Sequence, residues 1–216
     1  MRVLGLTGSI GMGKSTAARF LRYLGVPVVD SDATVHRLFA TGGRAVPKIA
    51  AAFPSAVKNR AVDRVELSRL VTNDTPALKR LEAIVHPMVA QERDRFLQAC
   101  ALRGAKLVVL DIPLLFEGGL EKSCDATIVV SAPAHIQRLR VLARPNMSPE
   151  KFRFILSRQI SDVDKRRRAD YVIPSNQGMR ATLLALRRVV RAERSRPSRV
   201  WPAIITARRN GNGRQK

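Results

Sequence analysis

The chain has 216 residues, 45% of them hydrophobic and 5% aromatic, with a formal charge of +22. This size and apolar share suit one globular domain with subdomains, or two small ones, around a true core. No apolar stretch approaches the length of a membrane span and no signal-peptide pattern leads the chain, while Cys100 and Cys124, lacking C-x-x-C spacing, argue against a disulfide framework or a zinc site and fit a reducing cytoplasm.

Val3–Leu6 is a short apolar run that reads as a buried strand, and from Ser15 to Leu24 apolar residues recur at helical spacing. Between them Gly8 to Thr16 reads GSIGMGKST, in which Gly8, Gly13, Lys14 and Ser15 fit G-x-x-x-x-G-K-S/T, the loop that holds nucleotide phosphates. Such a loop needs a strand before it and a helix after it, because the helix N-terminus aims unpaired N–H groups at the phosphates. Gly8, Gly11 and Gly13 let the backbone bend around an anion, Lys14 is placed to reach the β- and γ-phosphates, and the Ser15 hydroxyl is placed to ligate Mg²⁺. The loop, with Met12 and Thr16 completing it, predicts binding of ATP or GTP.

A second strand is expected at Val26–Val29, ending in Asp30-Ser31-Asp32. Two βα units this close indicate a parallel sheet with crossover helices. A carboxylate at that strand end lies beside the nucleotide cleft, where it can accept a proton from an attacking hydroxyl or hold Mg²⁺ through water; either Asp can equally cap the next helix. From Ala33 to Leu102 the patterns are helical, with no convincing strand. Asp63 is expected to cap a helix through Leu70 with Glu66 as capping-box partner, Asn73 to Pro76 is a break, and Pro87 is expected to kink or interrupt the following helix.

Strands return at Leu107–Leu110 and Ala126–Val130, each fully apolar as in a sheet covered on both faces. Pro133 opens a helix to about Ala143, Ser148-Pro149-Glu150 starts another with cap and first-turn proline in order, and Arg158 to Arg168 is expected to be mobile or to face solvent. Tyr171–Ile173 is a last short strand, followed by a helix from about Met179 to Ala192. A disordered basic tail is expected beyond Ser195, although Trp201 within Val200–Ile205 offers a patch that can dock. The class is therefore α/β, a three-layer αβα core of the P-loop type with a parallel sheet. The expected parts are a nucleotide-binding core (1–32, 103–137 and 169–194), a helical insert (33–102), a basic segment forming a lid (138–168) and a tail (195–216).

The charge admits three readings. Arg191 to Lys216 holds eight Lys/Arg against one Glu, which leaves most of the excess on the body of the chain. Arginine clusters suit a small ligand bearing several phosphates, a basic surface can lack any partner, and nucleic acid comes third.

Six segments together carry a family resemblance: LTGSIGMGKST at 6–16, VVDSDATVHRL at 28–38, LEAIVHPMV at 81–89, LDIPLLFEGGL at 110–120, QRLRVLARPNMS at 137–148 and ADYVIPSNQG at 169–178. Over about residues 2–190 the chain resembles the dephospho-CoA kinase family. The resemblance implies transfer of the ATP γ-phosphoryl group to the ribose 3′-hydroxyl of dephospho-CoA, giving CoA and ADP with Mg²⁺ as cofactor. It matches Asp32 to the general base and Asp30 to the other acid of that motif, for structural positioning or for Mg²⁺. Asp111 is matched to a Mg²⁺-organising acid beside Ser15, and Arg140 and Arg144 to lid arginines that neutralise phosphoryl charge. Asn176 falls near the adenine, His86 falls in the acceptor-binding insert, and Pro113, Leu114, Leu115 and Phe116 look like substrate-side wall, with core packing as the other reading of that run. The implied partners are ATP and dephospho-CoA, with no membrane, no specific nucleic acid, and a monomer favoured. A nucleoside or nucleoside-monophosphate kinase of the same fold and a nucleic-acid-binding ATPase remain the rival functions.

Overall fold

The computed structural model describes residues 1–72 and 74–202. In chain order the elements are β1 (Arg2–Thr7), α1 (Lys14–Tyr23), β2 (Val28–Asp30), α2 (Ser31–Phe39), α3 (Val46–Ala52), β3 (Val57–Lys58), β4 (Ala61–Val62), α4 (Arg64–Val71), α5 (Thr75–Leu102), β5 (Leu107–Asp111), β6 (Ala126–Ser131), α6 (Ala134–Leu142), α7 (Pro149–Ser157), α8 (Asp162–Arg168), β7 (Tyr171–Pro174) and α9 (Met179–Arg194). They form two compact units, one of Met1–Val28 with Cys100 onward and one of Val29–Ala99.

The first unit holds the strands β5, β1, β6 and β7, adjacent in that order in one sheet. β1 runs parallel to β5, with Leu6 opposite Asp111, and parallel to β6, with Thr7 opposite Val129; β6 runs parallel to β7, with Ser131 opposite Pro174. β1, β5 and β6 are buried along their whole length, as a sheet covered on both faces requires, which is why their sequences are unbroken apolar runs. Leu4, Leu6, Leu21, Val109, Ile128 and Leu186 form the centre of this core. This register brings the C-terminal ends of β1, β5, β6 and β7 to one edge of the sheet.

The second unit packs α2 to α5 around Leu38, Ile49, Phe53, Leu67 and Met88. It also holds the antiparallel pair β3–β4, where only helices were expected. Two-residue strands leave no alternation to read, and the joining residues Asn59 and Arg60 both take positive φ, the backbone that a two-residue hairpin turn needs. Asp63 caps α4, its Oδ1 accepting from the Val65 and Glu66 amides at 3.1 Å. The reciprocal half of the capping box is absent: Glu66 turns to Arg69, and the Asp63 amide donates to the Ala56 carbonyl. Of the expected break, Asn73 lies outside the described residues, while Asp74 accepts from the Ala77 amide at the start of α5. That helix then runs 28 residues through Pro87, which corrects the interruption, one of the two outcomes expected there. The carbonyl that Pro87 cannot pair belongs to Ala83, and both residues are exposed, so water can satisfy it.

Two further expectations hold only in part, and most of 158–168 does face solvent. The charged stretch 158–168 is partly an ordered helix, α8, capped by the Ser161 hydroxyl, and its Lys165 is fully buried. Lys165 Nζ lies 3.0 Å from Glu117 Oε1, an ion pair without the alignment of a hydrogen bond. A paired charge at a buried position cannot be told from a solvated one by periodicity. The start of the tail is also ordered: buried Asp125 accepts from the Val3 amide (2.8 Å), the Ser198 hydroxyl (2.9 Å) and the Arg199 amide (2.5 Å), and Trp201 is half-buried. Residues 203–216, the rest of the expected tail, lie outside the described residues. No described helix is long and apolar enough to cross a membrane.

Asp125 also pairs with Arg2 at 3.4 Å, both side chains being buried. Removing the carboxylate leaves that guanidinium short of a partner and several amides unsatisfied. Asp125→Ala is therefore expected to lower unfolding stability by about 3–5 kcal/mol, read as a fall in the urea midpoint.

Candidate active site

The loop between β1 and α1 is shaped by close approaches that exclude side chains. A Cβ at Gly8 would stand 2.8 Å from the Val130 carbonyl on β6, and one at Gly11, where φ is +78°, would stand 2.4 Å from Val141 Cγ2 on α6. Gly13 is the N-cap of α1 in the left-handed region, with no side-chain cap. As a result the amides of Gly11, Gly13, Lys14 and Ser15 donate to no protein acceptor among the described residues. Four N–H groups and the positive end of a helix dipole converge there, which suits a polyphosphate.

The loop is held from outside by its neighbours. The Gln137 side chain on α6 donates to the Ile10 carbonyl at 2.8 Å, and the Ile10 amide donates to Gln159 Oε1 at 3.2 Å. The Ser175 hydroxyl, just past β7, donates to the Met12 carbonyl at 2.7 Å. Met12 itself is buried, and its Sδ accepts from the Ala132 amide at 3.1 Å. Its side chain therefore belongs to the core, and its amide donates to the Ser9 carbonyl at 3.1 Å.

Lys14 and Asp111 meet at this edge, Nζ donating to Oδ1 at 2.6 Å, with Asp111 only 2% exposed. The pairing follows from register, since Asp111 ends β5 opposite Leu6, just before the loop. Arg140, on α6, donates from both terminal nitrogens to Ser175, to its hydroxyl and its carbonyl, each at 2.8 Å. Its Nη1 also comes within 3.8 Å of where a Gly13 Cβ would be, so the guanidinium sits against the loop. Ser15 is exposed on the first turn of α1 and Thr16 is half-buried beside it. Arg144 and Asn176 belong to the same unit and are both exposed.

The run after β5 divides. Pro113 is half-buried, its carbonyl accepting from the Thr7 hydroxyl at 2.9 Å, and Leu114 is 45% exposed. Leu115 and Phe116 are buried, in keeping with the core-packing reading of that run: Leu115 Cδ2 lies 2.8 Å from a Cβ built on Gly5, and Phe116 lies beneath the Arg168 guanidinium at 4.6 Å. An apolar run gives no sign of which members face inward where the chain leaves a strand.

In the second unit Asp30 caps α2, Oδ1 accepting from the Ala33 amide at 3.0 Å, the capping role that sequence left open. Asp32 lies on the first turn of that helix, exposed, with no hydrogen-bond or ion-pair partner among the described residues. His86 is exposed on α5. No group of three or more His, Cys, Asp or Glu side chains suited to a metal occurs among the described residues.

Sequence reasoning missed three supports of the loop. Ser175 adjoins Asn176 in one of the motif segments, and Gln137 opens another, so both were within reach. Gln159 lies in the stretch read as solvent-facing, and nothing in its context marks it.

A family model described as Dephospho-CoA kinase matches residues 2–181. Curated relatives of that name include one from Rhodopseudomonas palustris (strain HaA2), 49% identical over 92% of this chain and 99% of its own. Another, from Novosphingobium aromaticivorans, is 52% identical over 91% and 97%. Among solved structures, a Thermus thermophilus protein aligns with TM-score 0.78 at 38% identity, covering 89% of this chain and 97% of that one. A dephospho-CoA kinase from Campylobacter jejuni aligns with TM-score 0.61 over 88% and 96%, and at 22% identity it bears on the fold alone.

Because Gly11 combines a left-handed backbone with the 2.4 Å approach of Val141, Gly11→Ala is expected to cost about 1–3 kcal/mol of stability and to spoil the loop. A thermal-shift titration with ATP checks this: the variant should melt lower and gain little from nucleotide.

Proposed function

The chain belongs to the dephospho-CoA kinase family, and on that premise we propose that it moves the γ-phosphoryl group of ATP onto the ribose 3′-hydroxyl of dephospho-CoA. The observation that carries the proposal is the phosphate loop with its unpaired amides and Lys14 beside it. Lys14 and the amides of Gly11, Gly13 and Ser15 bind the triphosphate and offset the negative charge that spreads over the transferring group. Arg140, already fixed against the loop through Ser175, adds a planar cation with N–H donors to spare, and Arg144 one turn further on adds a second. Asn176 reads the adenine. The 3′-oxygen bonds to the γ-phosphorus as the bond from that phosphorus to the bridging oxygen breaks, and the electron pair leaves with ADP. The hydroxyl proton passes to the Asp32 carboxylate, a role supported by its exposure and its freedom from partners among the described residues. Pro113, Leu114 and His86 remain candidate acceptor contacts.

The oxygen donors present fit Mg²⁺, which keeps most of its waters and needs only one or two protein ligands besides phosphate oxygens. Ser15 offers an exposed hydroxyl, and Asp111 a carboxylate at the strand end. When bound, the ion would neutralise charge on the β- and γ-phosphates. The enzyme is placed in the cytoplasm, which the buried free thiols of Cys100 and Cys124 suit, and the monomer is taken as its working form.

Steady-state ADP release with dephospho-CoA tests the roles. Lys14→Ala and Asp32→Asn are each expected to lower kcat by about 10²-fold or more. Near-normal turnover of Asp32→Asn removes it from the base role, and a wild-type enzyme that turns over AMP or adenosine but not dephospho-CoA overturns the acceptor.

A further inference from the structure

The charge of +22 is not absorbed by the site, and the structure shows where a large share of it collects. On α9, Arg180, Arg187, Arg191 and Arg194 fall within an arc of about 60° on the helix, and Arg188 lies about 60° beyond its edge. All five are exposed, while Thr182, Leu186, Val189 and Val190 face the core. The one acid of the helix, Glu193, is fully buried and bound by Arg2 and Tyr171. Among the described residues no acid pairs with Arg180, Arg187, Arg188 or Arg191, and Arg194 reaches only the Leu24 carbonyl at 3.2 Å. α1 packs beside α9 and exposes Arg19, Arg22 and Tyr23, the last at 77%. At the foot of both helices a concavity of about 660 Å³ is lined by Arg103, Lys106, Arg191 and Arg194 together with Gly25 and Pro27, and no acid lines it.

Complementing helix dipoles explains part of this, since Arg194 and Arg103 stand at helix C-termini. It does not explain Arg187 and Arg188, more than a turn from the end of α9, where the dipole effect has faded. We propose that this face of α9, continuing into the concavity, binds the sugar–phosphate backbone of nucleic acid without regard to sequence. From Arg180 to Arg194 the stripe spans about 21 Å, on the order of six phosphates of one strand, which is more than a small anion in the concavity would use. A membrane surface fits less well: the apolar side of α9 is largely committed to the core, and of its large apolar residues only Met179 and Leu184 are exposed. Exposed Tyr23 supplies a surface on which an unpaired base can stack.

Fluorescence anisotropy of the full chain with a labelled single-stranded RNA and a DNA duplex of equal length, across about 50 to 200 mM salt, tests the proposal. Wild type should bind both, with log K falling against log salt at a slope of about −3 to −4.5. Arg187→Gln/Arg188→Gln/Arg191→Gln should lose about 10-fold or more in affinity and about 2 units of slope, with kcat for ADP release unchanged. The matching triple change to Lys should keep most of the binding. Arg103→Gln/Lys106→Gln, which lines the concavity from outside α9, should weaken binding several-fold. A control of equal charge loss in the second unit, Lys48→Gln/Arg64→Gln/Lys79→Gln, should bind like wild type. Equal loss in the control and the α9 variant, absence of salt-dependent binding by wild type, or tighter binding to phosphatidylglycerol vesicles than to either nucleic acid overturns the proposal.

Discussion

A loop that binds phosphates through its main chain must be rigid while leaving its amides unpaired, and much of this structure answers that requirement. Rigidity cannot come from hydrogen bonds to the amides in use, so it comes from behind. Gln137 and Ser175 hold the carbonyls of Ile10 and Met12, and Met12 anchors its own side chain in the core. Val130 and Val141 stand where side chains on Gly8 and Gly11 would have to be. These groups come from the loop itself, from α6, from β6 and from the residue after β7, and the parallel register that aligns the ends of β1, β6 and β7 is what assembles them.

The same register accounts for the electrostatics of the site. Lys14 begins α1 and Asp111 ends β5, so holding a cation beside the loop depends on a strand pairing rather than on local sequence. Around them, the acids of the first unit are largely engaged inside the protein: Asp125 and Glu193 with Arg2, Glu117 with Lys165, and Glu121 with Arg168. Cations far outnumber the acids left free, so the surroundings of the loop and the outer face of α9 both present positive charge. A basic composition is thus converted by internal pairing of acids into a surface suited to phosphate-rich ligands.

The fold was legible where burial imposes a strict pattern. The strands at 107–111 and 126–131 and the helix at 179–194 were readable because a sheet covered on both faces demands unbroken apolar runs and α9 repeats its apolar residues at helical spacing. The phosphate loop was legible because its chemistry tolerates few residue types. What escaped depends on distant partners: the burial of Lys165 on Glu117, the ordering of Ser198 and Arg199 by Asp125, and the contact of Gln159 with Ile10. Leu115 and Phe116 show the complementary limit, for their composition was read correctly as apolar while the side they face was set by packing against Gly5 and Arg168.

The most direct test of the account is the identity of the phosphorylated product. With Mg-ATP and dephospho-CoA, phosphorus NMR of the reaction should show a new 3′-phosphomonoester growing in step with ADP, and an acceptor lacking the 3′-hydroxyl should give neither. A phosphoryl group found elsewhere on the acceptor, or ADP released at the same rate without that hydroxyl, would contradict it.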